Sequence, residues 1–223
     1  MEKEQGWIFF DIDGTLLYAR GAGREAFRRA FDEAFGWDQG VEHINFYGAT
    51  DLDVFRRICV ERGETSTPAM ETAFFERLAP ALDERLARRK PEVFPNIGKI
   101  LPELSKHWKL GIVTGNIEPT AKMKLKHAGL LEFFELNGFG CGCDHADRVE
   151  IARHALERTG SPARRVLVGD TPNDISAAKA NGMVSIAVAT GGFDFQALEK
   201  AGADYVFEDL TDTQRLLSIL ETV

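Results

Sequence analysis

Trp7-Ile8-Phe9-Phe10-Asp11-Ile12-Asp13-Gly14-Thr15-Leu16-Leu17 is the stretch that decides how this chain folds. Four apolar residues run into a carboxylate, and one more apolar residue separates it from the next. Such a run, closed by a Gly-Thr turn signal, predicts a buried parallel strand that ends at a functional edge. Asp11 and Asp13 stand two apart, so on extended backbone they lean to the same side. Gly14 then lets the chain turn away with dihedrals that other residues rarely adopt. Two carboxylates gathered at one strand end repel each other, and keeping both ionised calls for a cation. A hard divalent ion with oxygen ligands, most simply Mg²⁺, meets that need. Taken alone, the pair could equally be two solvated turn acids.

Immediately downstream the apolar spacing changes from strand to helix. Between Arg24 and Phe35, residues Phe27, Phe31 and Phe35 fall at successive i+4 steps with Ala30 and Ala34 beside them, one face of an amphipathic helix stopped by Gly36. The same reasoning predicts helices from Leu52 to Arg62, from Pro68 to Ala79, and from Pro80 to about Arg89. No strand is expected between about 19 and 90, and the aromatic spacing there reads as core packing. Residues 88–96 read as an extended return linker.

Beyond the linker, strands and helices alternate. Helices are expected at Ile97 to Lys106, Pro119 to Ala128, Val149 to Arg158, Asp174 to Asn181 and Thr213 to Leu220. Strands are expected at Trp108 to Thr114, Phe133 to Phe139, Arg165 to Asp170, Met183 to Ala189 and Ala203 to Phe207. That alternation defines an α/β chain with a Rossmann-like, doubly wound parallel sheet, interrupted after its first strand by an all-helical insertion. The expected division is a sheet domain of residues 1–18 and 91–223 and a helical cap of residues 19–90.

A chain of 223 residues is long enough for such a domain with an insertion. A net charge of −8 argues against a nucleic-acid-binding surface. No apolar run approaches the ~20 residues that span a bilayer. The charged start Met1-Glu2-Lys3-Glu4 passes straight into the first strand, with no signal peptide. The three cysteines, Cys59, Cys141 and Cys143, form an odd set that suggests reduced thiols in a cytoplasm. Cys141-Gly142-Cys143 lacks zinc-site spacing and no second ligand pair follows, so it reads as a glycine-loosened turn. Oligomeric state leaves no mark on the pattern.

In doubly wound sheets ligands bind outside the carboxyl ends of the strands. The polar residues expected there are Asp11 and Asp13, Thr114-Gly115-Asn116, Asp144 to Arg148, and Asp170 with Asp174. Thr171 as N-cap, Pro172 at N1 and Asp174 at N3 make a capping-box-like helix start without any chemistry. That does not explain Asp170, an acid ending the run Val166-Leu167-Val168, which reads as a metal ligand. Asp174 reads as a cap that also reaches the metal through water. Asn116 suits an N-cap, while the Thr114 hydroxyl and the following backbone N–H groups form an anion-binding concavity.

In chain order, Asp11-Ile12-Asp13-Gly14-Thr15-Leu16, Val113-Thr114-Gly115-Asn116 and Gly169-Asp170-Thr171-Pro172-Asn173-Asp174 resemble the motifs of the haloacid dehalogenase superfamily. The tail from Ala189-Thr190-Gly191-Gly192 to Gly202-Ala203-Asp204-Tyr205-Val206 resembles its phosphoglycolate-phosphatase-like branch. The helical insertion looks like that family's C1 cap, and Gly48-Ala49-Thr50-Asp51 resembles a recurring cap segment, which makes Gly48, Thr50 and Asp51 candidates for substrate selection. The resemblance implies a Mg²⁺-dependent cytoplasmic phosphatase acting on a small phosphorylated metabolite. It implies Asp11 as nucleophile and Asp13 as general acid and base. It further implies Mg²⁺ on Asp11, Asp170 and the Asp13 backbone carbonyl, with Asp174 nearby, and Thr114, Gly115 and Asn116 on the phosphate.

The family's third motif is commonly a Lys opening the helix after the third strand. Here Asp144-His145-Ala146-Asp147-Arg148 makes Arg148 the candidate, although Arg and Lys are not equivalent. Lys122, Lys124 and Lys126 are its rivals, assigned to the solvated face of their helix. Three other functions share parts of this pattern. A β-phosphoglucomutase-type phosphosugar mutase has the same core motifs, a haloacid dehalogenase needs no Mg²⁺, and a phospho-receiver needs no lid.

Overall fold

The sheet forms where short apolar runs are buried on both faces. In the computed structural model, which describes residues 5–38, 40–46 and 48–223, β1 (Trp7–Phe10) passes through a turn into β2 (Leu17–Tyr18). Three helices follow, α1 (Ala22–Phe35), α2 (Asp51–Glu61) and α3 (Pro68–Arg88), and then β3 (Glu92–Val93). The remaining chain runs α4 (Ile97–Leu104), β4 (Lys109–Val113), α5 (Glu118–Ala128), β5 (Phe139–Gly140), α6 (Arg148–Arg158) and β6 (Arg165–Gly169). It closes with α7 (Pro172–Ala180), β7 (Val184–Val188), α8 (Phe195–Lys200), β8 (Tyr205–Phe207) and α9 (Thr213–Thr222). Met1 to Glu4, read from sequence as a charged lead into β1, lie outside the described residues. No described helix is long and apolar enough to cross a membrane.

Six parallel strands stand in the order β5-β4-β1-β6-β7-β8. β1 is central: Phe9 pairs with Gly111 of β4 on one side and Leu167 of β6 on the other. Strand order reverses there, which places the ligand crevice at the carboxyl end of β1, where Asp11 begins. Alternation divides the strand between two cores. Trp7 and Phe9 pack with Ile151, Ala155 and Ala177 from α6 and α7. Ile8 and Phe10 pack with Ile100, Leu104, Leu125, Leu216 and Leu220 from α4, α5 and α9. With each large apolar side chain worth ~1.5–3 kcal/mol when buried, β1 is held rigidly from both faces.

The helical insertion is built round an apolar cluster on the predicted aromatic spacing, which Ile117 joins from the turn after β4. Phe31 stacks on Phe55 at 5.7 Å and packs against Phe74 at 4.3 Å between ring centroids, with Phe27, Leu78 and Leu82 in the same cluster.

Four expectations need correction. Pro68 to Ala79 and Pro80 to Arg89 are one helix, α3, with Pro80 inside it. Its buried stripe, Phe74, Leu78, Ala81, Leu82 and Leu86, continues in register across the proline, and that packing outweighs an interior-proline cost of ~3 kcal/mol. The strand expected at Phe133 to Phe139 is two single 3₁₀ turns, Leu131–Phe133 and Leu136–Gly138, followed by the two residues of β5. Gly138 lies so close to Trp7 that a Cβ would meet its ring at 2.2 Å, so the chain bends around the indole before it can pair. Helix α8, capped by Asp194, has no counterpart in the sequence reading. The return linker is more than extended chain: Leu17 pairs with Val93 and Tyr18 with Glu92, antiparallel, so β2 and β3 tie both ends of the insertion together.

Candidate active site

The site starts where β1 leaves the sheet. Leu16 and Leu17 both donate their backbone N–H to the Ile12 carbonyl, at 2.9 and 3.1 Å, and Gly14 donates to the Leu17 carbonyl at 3.0 Å. This wide turn needs φ +85° at Gly14, and a Cβ there would lie 2.3 Å from Asp170 Oδ2. The glycine therefore allows the turn and also leaves room for the neighbouring acid. Gly191, after β7, does the same from the other side, where a Cβ would lie 1.7 Å from the same oxygen. Thr15 Oγ1 donates to Asp170 Oδ1 at 3.0 Å, fixing the carboxyl group at the end of β6.

Asp11, Asp170 and Asp174 are all buried, and each offers an oxygen within 4.8 Å of the others. Burial pushes Asp11 up to about 6, aided by the charges of Asp174 and Asp13 and opposed by Arg148. Burial and then the charges of Asp11 and Asp174 push Asp170 up to about 8. Asp174 has two roles. Its Oδ2 accepts from Thr171 N at 3.1 Å and from Thr171 Oγ1 at 2.6 Å, completing the expected capping box. Its Oδ1 is buried without a hydrogen bond. Three converging acids, two of them raised by burial and then by neighbouring negative charge and one with an orphaned oxygen, fit a hard divalent cation. Asp13, expected to reach the metal through its backbone carbonyl, has its carboxylate outside this triad and turned toward α5.

Arg148, the first residue of α6, reaches into the same place. Its Nη1 and Nη2 each donate to an Asp11 oxygen at 3.3 Å, and Nη1 also donates to the Val113 carbonyl at 3.0 Å. Nε lies 3.5 Å from Asp174 Oδ1, an ion pair too long for a hydrogen bond. Burial opposes the guanidinium charge, but Asp11 and Asp174 outweigh it and raise its pKa.

Lys124 is not on the solvated face of α5. It is 5% exposed, and its Nζ donates to Asp13 Oδ2 at 2.5 Å and to Asn116 Oδ1 at 2.6 Å. Lys122 pairs with Glu118 on the surface and Lys126 is exposed, as expected. The missed signal was periodicity: Lys124 shares a helix face with Thr120, Ala121 and Leu125, all buried. A lysine on an apolar face needs a partner inside the protein.

Thr114, Gly115 and Asn116 follow β4 directly. Asn116 Nδ2 donates to Asp13 Oδ2 and to Thr114 Oγ1, both at 2.8 Å, so this side chain is part of a network with Lys124 and does not cap α5. Gly115 is pressed against the insertion, where a Cβ would lie 2.3 Å from the Ala49 carbonyl. Asp51 N donates to the Gly115 carbonyl at 2.8 Å, and Asp51 Oδ2 accepts from Ile117 N at 2.9 Å. Burial raises Asp51 to about 6 against the nearby charge of Lys124. Thr50 is a buried N-cap whose hydroxyl accepts from Asp53 N at 3.1 Å. The Gly48 carbonyl accepts from Asn173 Nδ2 at 2.9 Å. Gly48, Thr50 and Asp51 are thus brought to the site edge, where they dock the insertion on the sheet.

Between the insertion and the end of β1 lies a cavity of about 570 Å³, with Asp11, Asp13, Lys124, Arg148 and Asp170 at its floor. A second cleft, about 440 Å³, opens beside Thr50, Asp53 and Arg57 and does not reach Asp11.

The haloacid dehalogenase-like hydrolase profile matches residues 8–188, and the chain belongs to that family. It is a hydrolase of the phosphatase kind. It is 28% identical over 208 residues to "Pyrophosphatase PpaX" of Oceanobacillus iheyensis, covering 92% of this chain and 93% of that one. It is 26% identical over 207 residues to "Phosphoglycolate phosphatase" of Synechococcus elongatus, with coverage of 92% and 93%. Among solved structures, a hydrolase from Pseudomonas syringae superposes with a TM-score of 0.71 at 26% identity, covering 96% of this chain and 98% of that one.

Proposed function

We propose that the protein hydrolyses a small phosphomonoester, with a divalent metal, through a phosphoryl group carried on Asp11. The observation behind this reading is the buried Asp11 carboxylate, gripped by Arg148 on both oxygens and flanked by Asp170 and Asp174. Asp11, Asp170 and Asp174 would hold the ion, Mg²⁺ in the simplest case. When bound, it neutralises charge on the phosphoryl oxygens and on the acids around them.

In the first half-reaction an Asp11 oxygen bonds to phosphorus as the ester oxygen leaves, and Asp13 gives that oxygen its proton. In the second, Asp13 takes a proton from water while the water oxygen bonds to phosphorus and the Asp11–phosphorus bond breaks. Arg148 keeps Asp11 aligned between the two halves, and Thr114, Gly115 and Asn116, which line the cavity beside it, would border the phosphoryl group. The Lys124 and Asn116 contacts hold Asp13 by one oxygen at the edge of the cavity.

The test is phosphate release with Mg²⁺, combined with acid-quenched mass spectrometry of the protein. We expect a phosphoryl adduct on Asp11 during turnover. Asp11→Asn should lose activity by ~10³-fold or more while remaining folded. Undiminished turnover by that variant would remove Asp11 from the mechanism.

A further inference from the structure

The floor of the 570 Å³ cavity is charged, whereas much of its wall is apolar. Phe27, Phe46, Val54, Leu78, Leu82 and Phe94 line it from the insertion and from the ribbon that joins the insertion to the sheet. Its volume is in the range that holds a ligand of drug-like size, and far exceeds what a phosphoryl group needs.

Every cation that lines the cavity already has an anionic or carbonyl partner. Arg20 pairs with Glu92. Arg24 donates to the Val41 carbonyl and, at 2.8 Å each, to those of Glu42 and Ile44, and its guanidinium lies 4.7 Å from the centre of the Phe46 ring. Lys124 is held by Asp13 and Asn116, and Arg148 by Asp11. Besides Asp11 and Asp170, two further acids, Asp13 and Asp51, line the same space and would repel a second anion.

Most polar side chains at the wall are likewise engaged, the half-exposed Tyr18 hydroxyl being left open. Thr120 Oγ1 is 3.2 Å from Asp51 Oδ2, Asn116 sits in the Asp13 network, and Thr190 donates to the Gly14 carbonyl. A polyhydroxylated leaving group would lose its water and find few replacements among the described residues, and a carboxylate or second phosphate would be buried unpaired.

From this we infer that the ester's alcohol is uncharged and predominantly apolar, an aromatic or branched aliphatic group seated against Phe27, Phe46, Leu78 and Leu82. This rests on the phosphatase reading and narrows its substrate class.

The comparison to make is benzyl phosphate against 2-phosphoglycolate, both esters of primary alcohols that differ in what lies beyond the first carbon. Pyrophosphate completes the set, and p-nitrophenyl phosphate, whose leaving group needs little help, reports whether the enzyme turns over at all. With Mg²⁺, kcat/KM for benzyl phosphate should exceed those for 2-phosphoglycolate and pyrophosphate by about tenfold or more. Phe46→Ala, at a partly exposed wall position, should lower the ratio of benzyl phosphate to 2-phosphoglycolate several-fold. Turnover of p-nitrophenyl phosphate with 2-phosphoglycolate or pyrophosphate preferred over benzyl phosphate would overturn the apolar assignment and leave the phosphatase reading intact. An unchanged ratio in folded Phe46→Ala would also overturn it. No turnover of any phosphate would remove both.

Discussion

The ammonium of Lys124 and the carboxylate of Asp13 form an ion pair of 2.5 Å across 111 residues of sequence, with Asn116 bonded to both. Lys124 is buried, whereas the Asp13 side chain is 41% exposed to the cavity. The pair therefore restrains the Asp13 carboxylate at one oxygen while leaving part of it open to whatever enters.

Removing that restraint should affect the proton-transfer steps and spare the metal. Lys124→Met is expected to lower kcat by ~10–100-fold, the order of a compromised general acid–base. The Mg²⁺ concentration giving half-maximal rate should hold, because Lys124 touches none of Asp11, Asp170 and Asp174. Steady-state kinetics over a Mg²⁺ titration separate the two effects, and an unchanged kcat would reduce Lys124 to a packing element.

Arg148 offers a different pattern. Its loss leaves three buried acids facing one another, so Arg148→Ala should cut kcat by about 10²-fold or more. It should also destabilise the metal-free protein by ~3–5 kcal/mol, the cost of breaking a buried pair. Arg148→Lys should recover only part of either, since one ammonium cannot meet both Asp11 oxygens and Asp174 as the guanidinium does. Denaturant melts alongside kinetics would show it, and a silent Arg148→Ala would exclude a role at Asp11.

The acid cluster sets a pH dependence with a definite sign. Asp11 at about 6 and Asp170 at about 8 both lie above the ordinary carboxylate value of 3.8. The folded protein therefore keeps protons that the unfolded chain has released. In chelator, this site's contribution to stability should be full below about pH 4 and fall as pH rises toward 8. A divalent ion binds the deprotonated acids, so the rise in Tm on adding Mg²⁺ should grow from pH 5 to pH 8. Paired thermal melts test this, and a Mg²⁺ effect that shrinks with rising pH would contradict it.

The thiols should differ in reactivity. Cys143 is exposed and is lowered to about 7, chiefly by a hydrogen bond from the Cys141 side chain. Cys141 and Cys59 are buried; the bond to Cys143 and then burial raise the first, and burial raises the second. Iodoacetamide at pH 7 should alkylate Cys143 well before the others, by peptide mass spectrometry. Equal labelling of all three would argue that the Cys141–Gly142–Cys143 turn opens in solution.

How much of this the sequence revealed depended on whether local pattern and tertiary contact agreed. β1, the Asp11 turn and the Thr171–Asp174 capping box were legible because each is a short-range pattern: an apolar run, a glycine at positive φ, a Thr-Pro-x-Asp start. The all-helical insertion was legible from its phenylalanine spacing. β5 was not, because what delays its start to Phe139 is the Trp7 ring against Gly138, a contact across the sheet. Pro80 misled for the opposite reason: a strong local breaker lost to a buried stripe. Lys124 had a readable signal, its place on the apolar face of α5, but its partner at Asp13 appears only once β1 and α5 are brought together.

The β2–β3 ribbon makes the helical insertion an exchangeable part. The chain leaves the sheet at Tyr18 and returns at Glu92, and these two residues face each other as a pair, with Cα atoms ~5 Å apart as antiparallel partners are. Everything between them could be replaced by a tight turn, or by a different set of helices, without moving any strand that carries an acid. A lineage could therefore rewrite which molecules are admitted while the apparatus at the end of β1 stays untouched.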